Sequence, residues 1–346
     1  TTVNNSLLGG TALARSQNAI QLHLGREGTP RFDSKPDAYI VPINPMDSGE
    51  GTWRLGFVPA SGGVGPFLIA AADQTDSPNL MAMGGNPAGS NSGGALLFDL
   101  RALMATGAAS DKPTQLGRAD AFAKLYGDQA NIQAARSFAV GDLDGDMKPE
   151  LVLGAPYATS TELVGGMMVS TPNTGRLLVY SLGTLSRGAE LNKTASVRNG
   201  ALRTDVLGIA SAVWTSGTQT SLIGYAGRAT TALGLFTGRL DTFTGTGTDL
   251  STWTRASSPT PNTPGAQGFG LAVDVAPGLS GLRALVGVPN ISGTAADYSG
   301  NETGAGQVHL FTAAAPNAPR ILQEGANTRY VTDAGELLPR LHKLVR

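Results

Sequence analysis

Apolar residues in this chain come in short runs of three to six, set between Gly, Pro, Ser, Thr and Asp clusters. Phe138-Ala-Val, Leu151-Val-Leu, Leu177-Leu-Val-Tyr, Phe67-Leu-Ile-Ala-Ala and Val308-His-Leu-Phe are typical. Runs of this length bounded by turn residues predict β-strands joined by tight turns. One stretch departs from the pattern: 102–130 is Ala- and Leu-rich, is interrupted by Gly and Pro, and predicts an inserted loop with a helical turn leading into a strand around Phe122-Ala-Lys-Leu-Tyr.

The runs recur in a fixed order. Residues 138–156 read FAVGDLDGDMKPELVLGAP and residues 271–289 read LAVDVAPGLSGLRALVGVP, the same length without a gap. Both end in Gly-Ala/Val-Pro, and both are followed by a Gly and another β run, Gly175-Arg-Leu-Leu-Val-Tyr and Gly306-Gln-Val-His-Leu-Phe. The same order of parts runs through Leu55-Gly-Phe-Val, Phe67-Leu-Ile-Ala-Ala and Gly94-Ala-Leu-Leu-Phe. A shortened version runs through Leu207-Gly-Ile-Ala-Ser-Ala-Val, Ser221-Leu-Ile-Gly and Leu233-Gly-Leu-Phe, and a first one through Leu8-Gly-Gly, Ile20-Gln-Leu-His-Leu and Ala38-Tyr-Ile-Val. The units open near positions 9, 56, 137, 208 and 270. Their mean spacing of roughly 65 residues exceeds the ~40–50 of common propeller repeats. Three or four short strands per repeated unit form a blade, and blades arranged radially shield their strand edges. The expected fold is therefore an all-β propeller over 1–320, with five detectable blades and a count of six or seven left open. Residues 321–346 are expected to form a C-terminal tail, as a ring-closing strand or a short docking helix around Leu337-Leu-Pro-Arg-Leu-His-Lys-Leu-Val.

Composition agrees with many turns: there are 47 Gly and 20 Pro, and charged residues make up only 15%. The formal net charge of -1 offers no basic surface for nucleic acid or anionic lipid, and no apolar stretch is long enough to span a bilayer. Cysteine is absent, which excludes disulfides, Cys-ligated metals and a Cys nucleophile. The chain opens at Thr1-Thr-Val with no signal peptide, which suits a processed N-terminus as well as a fragment.

One segment carries candidate chemistry. Asp142-Leu-Asp-Gly-Asp-Met-Lys-Pro-Glu150 places carboxylates at loop positions 1, 3, 5 and 9, with Gly145 at position 4. Asp142, Asp144 and Asp146 would turn inward, Lys148 would offer its backbone carbonyl, and Glu150 would close the shell. Such a loop supplies the six to eight oxygens that Ca²⁺ takes. Its apolar flanks make it a strand–loop–strand unit, unlike the helix–loop–helix of an EF-hand. Without a metal, the same residues would form a solvated Asp/Gly turn. In the copy at 271–289 the equivalent positions are Val275, Pro277, Leu279 and Arg283, so the strand frame does not need the metal. The other units carry Gly/Ser/Thr turns there, Ala60-Ser-Gly-Gly-Val-Gly and Thr215-Ser-Gly-Thr-Gln-Thr.

These residues resemble the FG-GAP repeat, the blade motif of the integrin α-subunit propeller and of many secreted bacterial proteins. Phe269-Gly270 resembles its first element, Asp142 to Glu150 its calcium loop, and Gly154-Ala155-Pro156 its name-giving tripeptide, with Gly287-Val288-Pro289 a variant. The resemblance implies a β-propeller, usually seven-bladed in integrins. The family loop has Gly at position 6 and Asp at position 9, where this chain has Met147 and Glu150. A non-Gly residue held in the left-handed conformation costs roughly 1–2 kcal/mol.

No catalytic constellation stands out. His23, His309 and His342 are far apart, and no Gly-x-Ser-x-Gly elbow is present. The Gly62-Gly63, Gly84-Gly85 and Gly165-Gly166 pairs lack the Lys-Ser/Thr of a phosphate cradle and read as turns. Trp53, Trp214 and Trp253 would stack on sugars if exposed, and otherwise pack in the core. The Thr/Ser/Pro-rich segment 241–264 is expected to be a long exposed loop. Sequons at Asn4, Asn192, Asn290 and Asn301 are as frequent as this Ser/Thr content produces by chance. The expected function is a secreted, periplasmic or cell-surface binding, adhesion or assembly module that is no enzyme, carries one Ca²⁺, and meets a protein or glycan partner on the propeller surface. The rival readings are a propeller lectin, a structural subunit of an extracellular assembly or filament, and a hydrolase or lyase on a propeller scaffold.

Overall fold

The computed structural model describes residues 2–3, 17–18, 20–23, 36–41, 53–77, 91–107, 114–192, 196–200, 205–216, 219–225, 240–257, 266–267, 272–278, 281–291, 305–312 and 315–324. The described residues are almost all strand and turn, as the short apolar runs predict, and one α-helix, Leu100–Gly107, occurs among them. The all-β, blade-built architecture expected from the repeat is the one observed. Two compact units are distinguished: one drawn from 1–136, 146–150 and 180–195, the other from 137–145, 151–179 and 196–346.

In the first unit, Trp53–Val58, Phe67–Ala72, Gly94–Asp99 and Ala123–Tyr126 form an antiparallel meander, and Ala189–Leu191 adds in parallel at its edge. The second strand of the meander is nearly continuous in apolar residues because both of its faces are covered. A smaller sheet pairs Ile20–Leu22 with Ala38–Val41 and, in parallel, with Thr114–Gly117. Ala70, Leu96 and Phe98 of the meander pack with Ile40, Leu103 and Ala121 in one core, and Trp53 lies against it. The helix and the strand Ala123–Tyr126 answer the inserted helical turn and outer strand expected between 102 and 130.

The second unit repeats the meander. Ser137–Gly141, Glu150–Ala155, Arg176–Ser181 and Ser196–Asn199 form one four-stranded sheet. Ser211–Ser216, Gln219–Tyr225, Leu240–Gly245 and Thr254–Ser257 form another. Ala272–Gly278, Gly281–Ile291, Ala305–Thr312 and Ala315–Glu324 are consecutive antiparallel strands of a third, which Ala266–Gln267 joins. Prolines sit where a sheet tolerates them. Pro277 is on a strand with one partner, Pro289 lies at a register shift, and Pro316 and Pro319 are on an edge strand.

Of the segment expected to be an exposed loop, 241–264, the described part, 241–257, begins and ends in strand, and 258–264 lies outside the described residues. Asp241, Phe243, Leu250 and Trp253 are buried, and strands Leu240–Gly245 and Thr254–Ser257 pair with each other. Thr is a good strand former, and the apolar positions between the threonines fill the core with Leu143, Val152, Leu177, Val179 and Leu207. Leu240–Gly245 is also the third strand of its sheet; Leu233-Gly-Leu-Phe, expected in that role, lies outside the described residues. The Leu337–Val345 tail, Leu8–Gly10, Phe269-Gly270, His342, Asn4 and Asn301 also lie outside them.

Among the described residues, two stretches that do not match without gaps in sequence share one set of backbone bonds. In the first unit Gly93 N donates to Thr75 O, Gly127 N to Gly93 O, Gln133 N to Asn91 O, and Ala134 N to Ser92 O. In the second unit the same four bonds run from Gly175 to Ala158, Gly200 to Gly175, Val206 to Asn173, and Leu207 to Thr174. Asn91 and Asn173 have φ of +49° and +54°, and Gly93 and Gly175 +73° and +70°. A Cβ on either glycine would sit inside backbone atoms of Ala134 or Leu207. Residues 53–136 and 137–208 are thus two copies of one backbone device, with different connectors.

Candidate metal centre

The acidic loop joins the strands Ser137–Gly141 and Glu150–Ala155. The strand frame is fixed first: Ala139, Val152, Leu177 and Val179 are buried, and a Cβ on Gly141 would run into the Val213 side chain. Leu143, at loop position 2, is 1% exposed and packs into the same cluster as Phe243, Leu250 and Trp253. Its carbonyl accepts from Gly247 N at 3.0 Å. With Leu143 pinned inward, the residues on either side of it turn the other way.

Those neighbours are the carboxylates. One ligand oxygen from each of Asp142, Asp144 and Asp146 lies within 4.8 Å of the others; Asp142 is half-buried and the other two are exposed. Two ligands across a Ca²⁺ stand up to about 4.6–5.2 Å apart at Ca–O distances of 2.3–2.6 Å. The hard oxygen donors and their spacing therefore fit calcium. Among the described residues no other such group of three metal-capable side chains occurs.

The loop is prefolded by its own hydrogen bonds. Asp142 Oδ1 accepts from Gly145 N at 2.7 Å, which Gly145 meets with φ +81°. Asp146 Oδ1 accepts from Lys148 N at 2.7 Å, and Lys148 Nζ stands 3.2 Å from Asp146 Oδ2. Lys148, expected to contribute its carbonyl, thus also brings its ammonium to a candidate ligand. Met147, at position 6, has φ +65°, the left-handed conformation for which the family uses Gly. Its carbonyl accepts from Ser61 Oγ at 2.6 Å. Gly62 and Gly183 leave room for Lys148: a Cβ on Gly62 would meet Lys148 Cγ and Met147 O at 2.7 Å. Sequence reasoning missed Ser61 and Gly62, since neither carries a metal-ligand signal. Glu150 opens the second strand, is 1% exposed, and is outside the three-carboxylate group.

The three tryptophans divide. Trp253 is 3% exposed and donates from Nε1 to Gly247 O, so it is a core residue and no sugar platform. Trp53 is half-buried on an edge strand, and the side chain of Trp214 lies outside the described set. His23 follows the strand Ile20–Leu22 and is half-buried, and His309 lies within a strand.

Four-stranded antiparallel meanders, one of them bearing a strand–loop–strand acidic loop, define the class: an all-β protein of propeller-type blades. Residues 134–180 match the family model described as FG-GAP repeat, a span that holds the acidic loop and Gly154-Ala155-Pro156. The chain carries an FG-GAP repeat there. No curated protein matches the chain.

Proposed function

We propose that this chain is an FG-GAP-type β-propeller module that binds a macromolecular partner outside the cytoplasm, without catalysis, and holds one structural Ca²⁺ at Asp142, Asp144 and Asp146. The backbone carbonyl of Lys148 would add a ligand, and Glu150, which stands outside the three-carboxylate group, would have to turn toward it to close the shell. The observation that carries the reading is the convergence of the three carboxylates inside the segment that matches the FG-GAP repeat. FG-GAP domains are typically extracellular binding modules. Among the described residues no helix is long and apolar enough to cross a membrane.

Calcium would neutralise crowded charge and order the hairpin; it would not activate a substrate. Extracellular calcium modules bind with Kd near 10⁻⁴–10⁻³ M, so millimolar Ca²⁺ would add about 0.4–1.4 kcal/mol. Titration calorimetry after chelator treatment tests this. One site is expected in the wild type and none in Asp144→Ala; equal binding by the two proteins would refute the loop assignment.

A further inference from the structure

One element of the second unit stands apart from the meander. Between Glu150–Ala155 and Arg176–Ser181 the chain folds into a hairpin, Ser160–Val164 paired with Met167–Thr171, which forms a sheet of its own. Gly165 and Gly166, with φ of +58° and +83°, supply the two left-handed residues that a type I′ turn requires. Every residue from 161 to 170 is exposed. Leu163 is 70% exposed, Met167 71% and Met168 69%, with Val164 and Val169 at 56% and 43%.

The register orders these side chains along the hairpin. Ser160 pairs with Thr171 and Thr161 with Ser170 at the base; Glu162 pairs with Val169; Leu163–Met168 and Val164–Met167 make the tip. Paired residues share a face and successive pairs alternate faces. Leu163 and Met168 therefore lie on one face, and Val164, Met167 and Val169 on the other, with Glu162 beside Val169 at its base. A flat partner, or a second copy stacked face to face, covers one of these and leaves the other bare. Pairing of a further strand along an open edge covers neither. What covers both is a medium that surrounds the tip.

Charge and depth narrow the medium. Between Leu151 and Gly175 the one charged residue is Glu162, so nothing draws the hairpin to anionic lipid. From the Glu162–Val169 pair to the turn, three residues at about 3.4 Å each give about 10 Å, against the 5–10 Å to which interfacial elements sink. The hydroxyls at the base then lie at headgroup level. The open strand edges stay within reach of interfacial water, which rules out deeper insertion. We propose that the hairpin 160–171 is a shallow anchor that places its Leu163–Met168 tip in the interface of a zwitterionic lipid bilayer. The proposal does not rest on the metal loop.

The chain has no cysteine, so Met168→Cys and Thr161→Cys each create a single labelling site. Each variant of the full chain, carrying an environment-sensitive fluorophore, is mixed with phosphatidylcholine vesicles. The label at 168 should shift to the blue and brighten several-fold, the label at 161 far less, and about 0.5 M NaCl should change neither response. Leu163→Asp combined with Met168→Asp should reduce co-flotation with the vesicles about tenfold, with circular dichroism and Tm unchanged. No response at 168, equal responses at the two sites, or a response that needs anionic lipid would overturn the proposal. A blue shift at 168 that grows with protein concentration in the absence of vesicles would also overturn it, and would assign the tip to a second copy of the chain.

Discussion

Leu143 and Asp144 are neighbours with opposite duties, and substituting them one at a time separates the frame from the site. Leu143 is 1% exposed, in a cluster with Val152, Phe243 and Trp253. Leu143→Ala removes three carbons, worth about 2.4 kcal/mol of transfer free energy at ~0.8 kcal/mol per methylene. A residual cavity of roughly 50 Å³ adds about 1 kcal/mol. The expected loss is thus about 2.5–4 kcal/mol, equal in chelator and in millimolar Ca²⁺, because the packing belongs to the apolar frame. Asp144→Ala removes two of the three like-charge pairs of the loop, so in chelator it should be as stable as wild type or more stable, by up to about 2 kcal/mol. It should abolish the calcium increment of about 0.4–1.4 kcal/mol. Urea unfolding followed by tryptophan fluorescence is well placed for this, since Trp253 packs in the same cluster as Leu143. A loss below about 1 kcal/mol for Leu143→Ala, or one that calcium restores, would refute the division of labour.

Gly93→Ala and Gly175→Ala should each destabilise by more than about 2 kcal/mol, since the new Cβ meets backbone at a left-handed position; thermal unfolding of the two variants checks both copies of the device. At Met147, φ +65°, Asn should be more stable than Val by about 1 kcal/mol, read from urea midpoints in chelator. Asp249 accepts from Ser251 Oγ and Ser251 N, and these bonds, the hydroxyl first, hold its carboxyl below the ordinary carboxylate value. A depressed folded value means that the contribution is present above the unfolded value and is lost as pH falls through the folded one. Carboxyl NMR should therefore show Asp249 titrating below the free side chain, and Ser251→Ala should raise its midpoint.

The acidic loop was legible in sequence because charge spacing is a local signal that needs no fold to be read. Its conformation was half legible: a left-handed position 6 followed from the resemblance, and Met147 adopts it. The hydroxyl that Ser61 gives to the Met147 carbonyl was not, because the two are 86 residues apart and share no pattern. The strand frame was read from apolar runs, and the copy running through Leu55, Phe67 and Gly94 was read by its order of parts alone. Backbone bonds at Gly93 and Gly175 carry that likeness, while Thr75 and Ala158 occupy one role with unrelated side chains. The connectors also differ: a helix, Leu100–Gly107, in one copy, and the hairpin at 160–171 in the other. An ungapped comparison favours instead the equal-length stretch at 271–289. The misreading of 241–257 has another cause. Its threonines were counted as loop composition, but Phe243, Leu250 and Trp253 between them fill a core.

The connector between the first and second strands of a meander is where this chain varies its chemistry. At 59–66 it is a Gly-Gly turn closed by the Ser61–Val64 bridge. In the 272–291 hairpin the strands stay paired up to Gly278 and Gly281, with Val275 opposite Ala284 and Pro277 opposite Leu282. At 142–149 it is the acidic loop, and there alone of the three the strand pairing gives way to a cluster of carboxylates. Three like charges within 4.8 Å of one another repel, by roughly 1 kcal/mol per pair even at the dielectric of water. Lys148 offsets part of this through its ion pair with Asp146. A chain that needed only a turn at this point has a cheaper one eighty residues earlier, uncharged and built on glycine. Asp142 and Asp146 also hold the loop's shape through the amides of Gly145 and Lys148, and a divalent cation would turn the remaining repulsion into attraction.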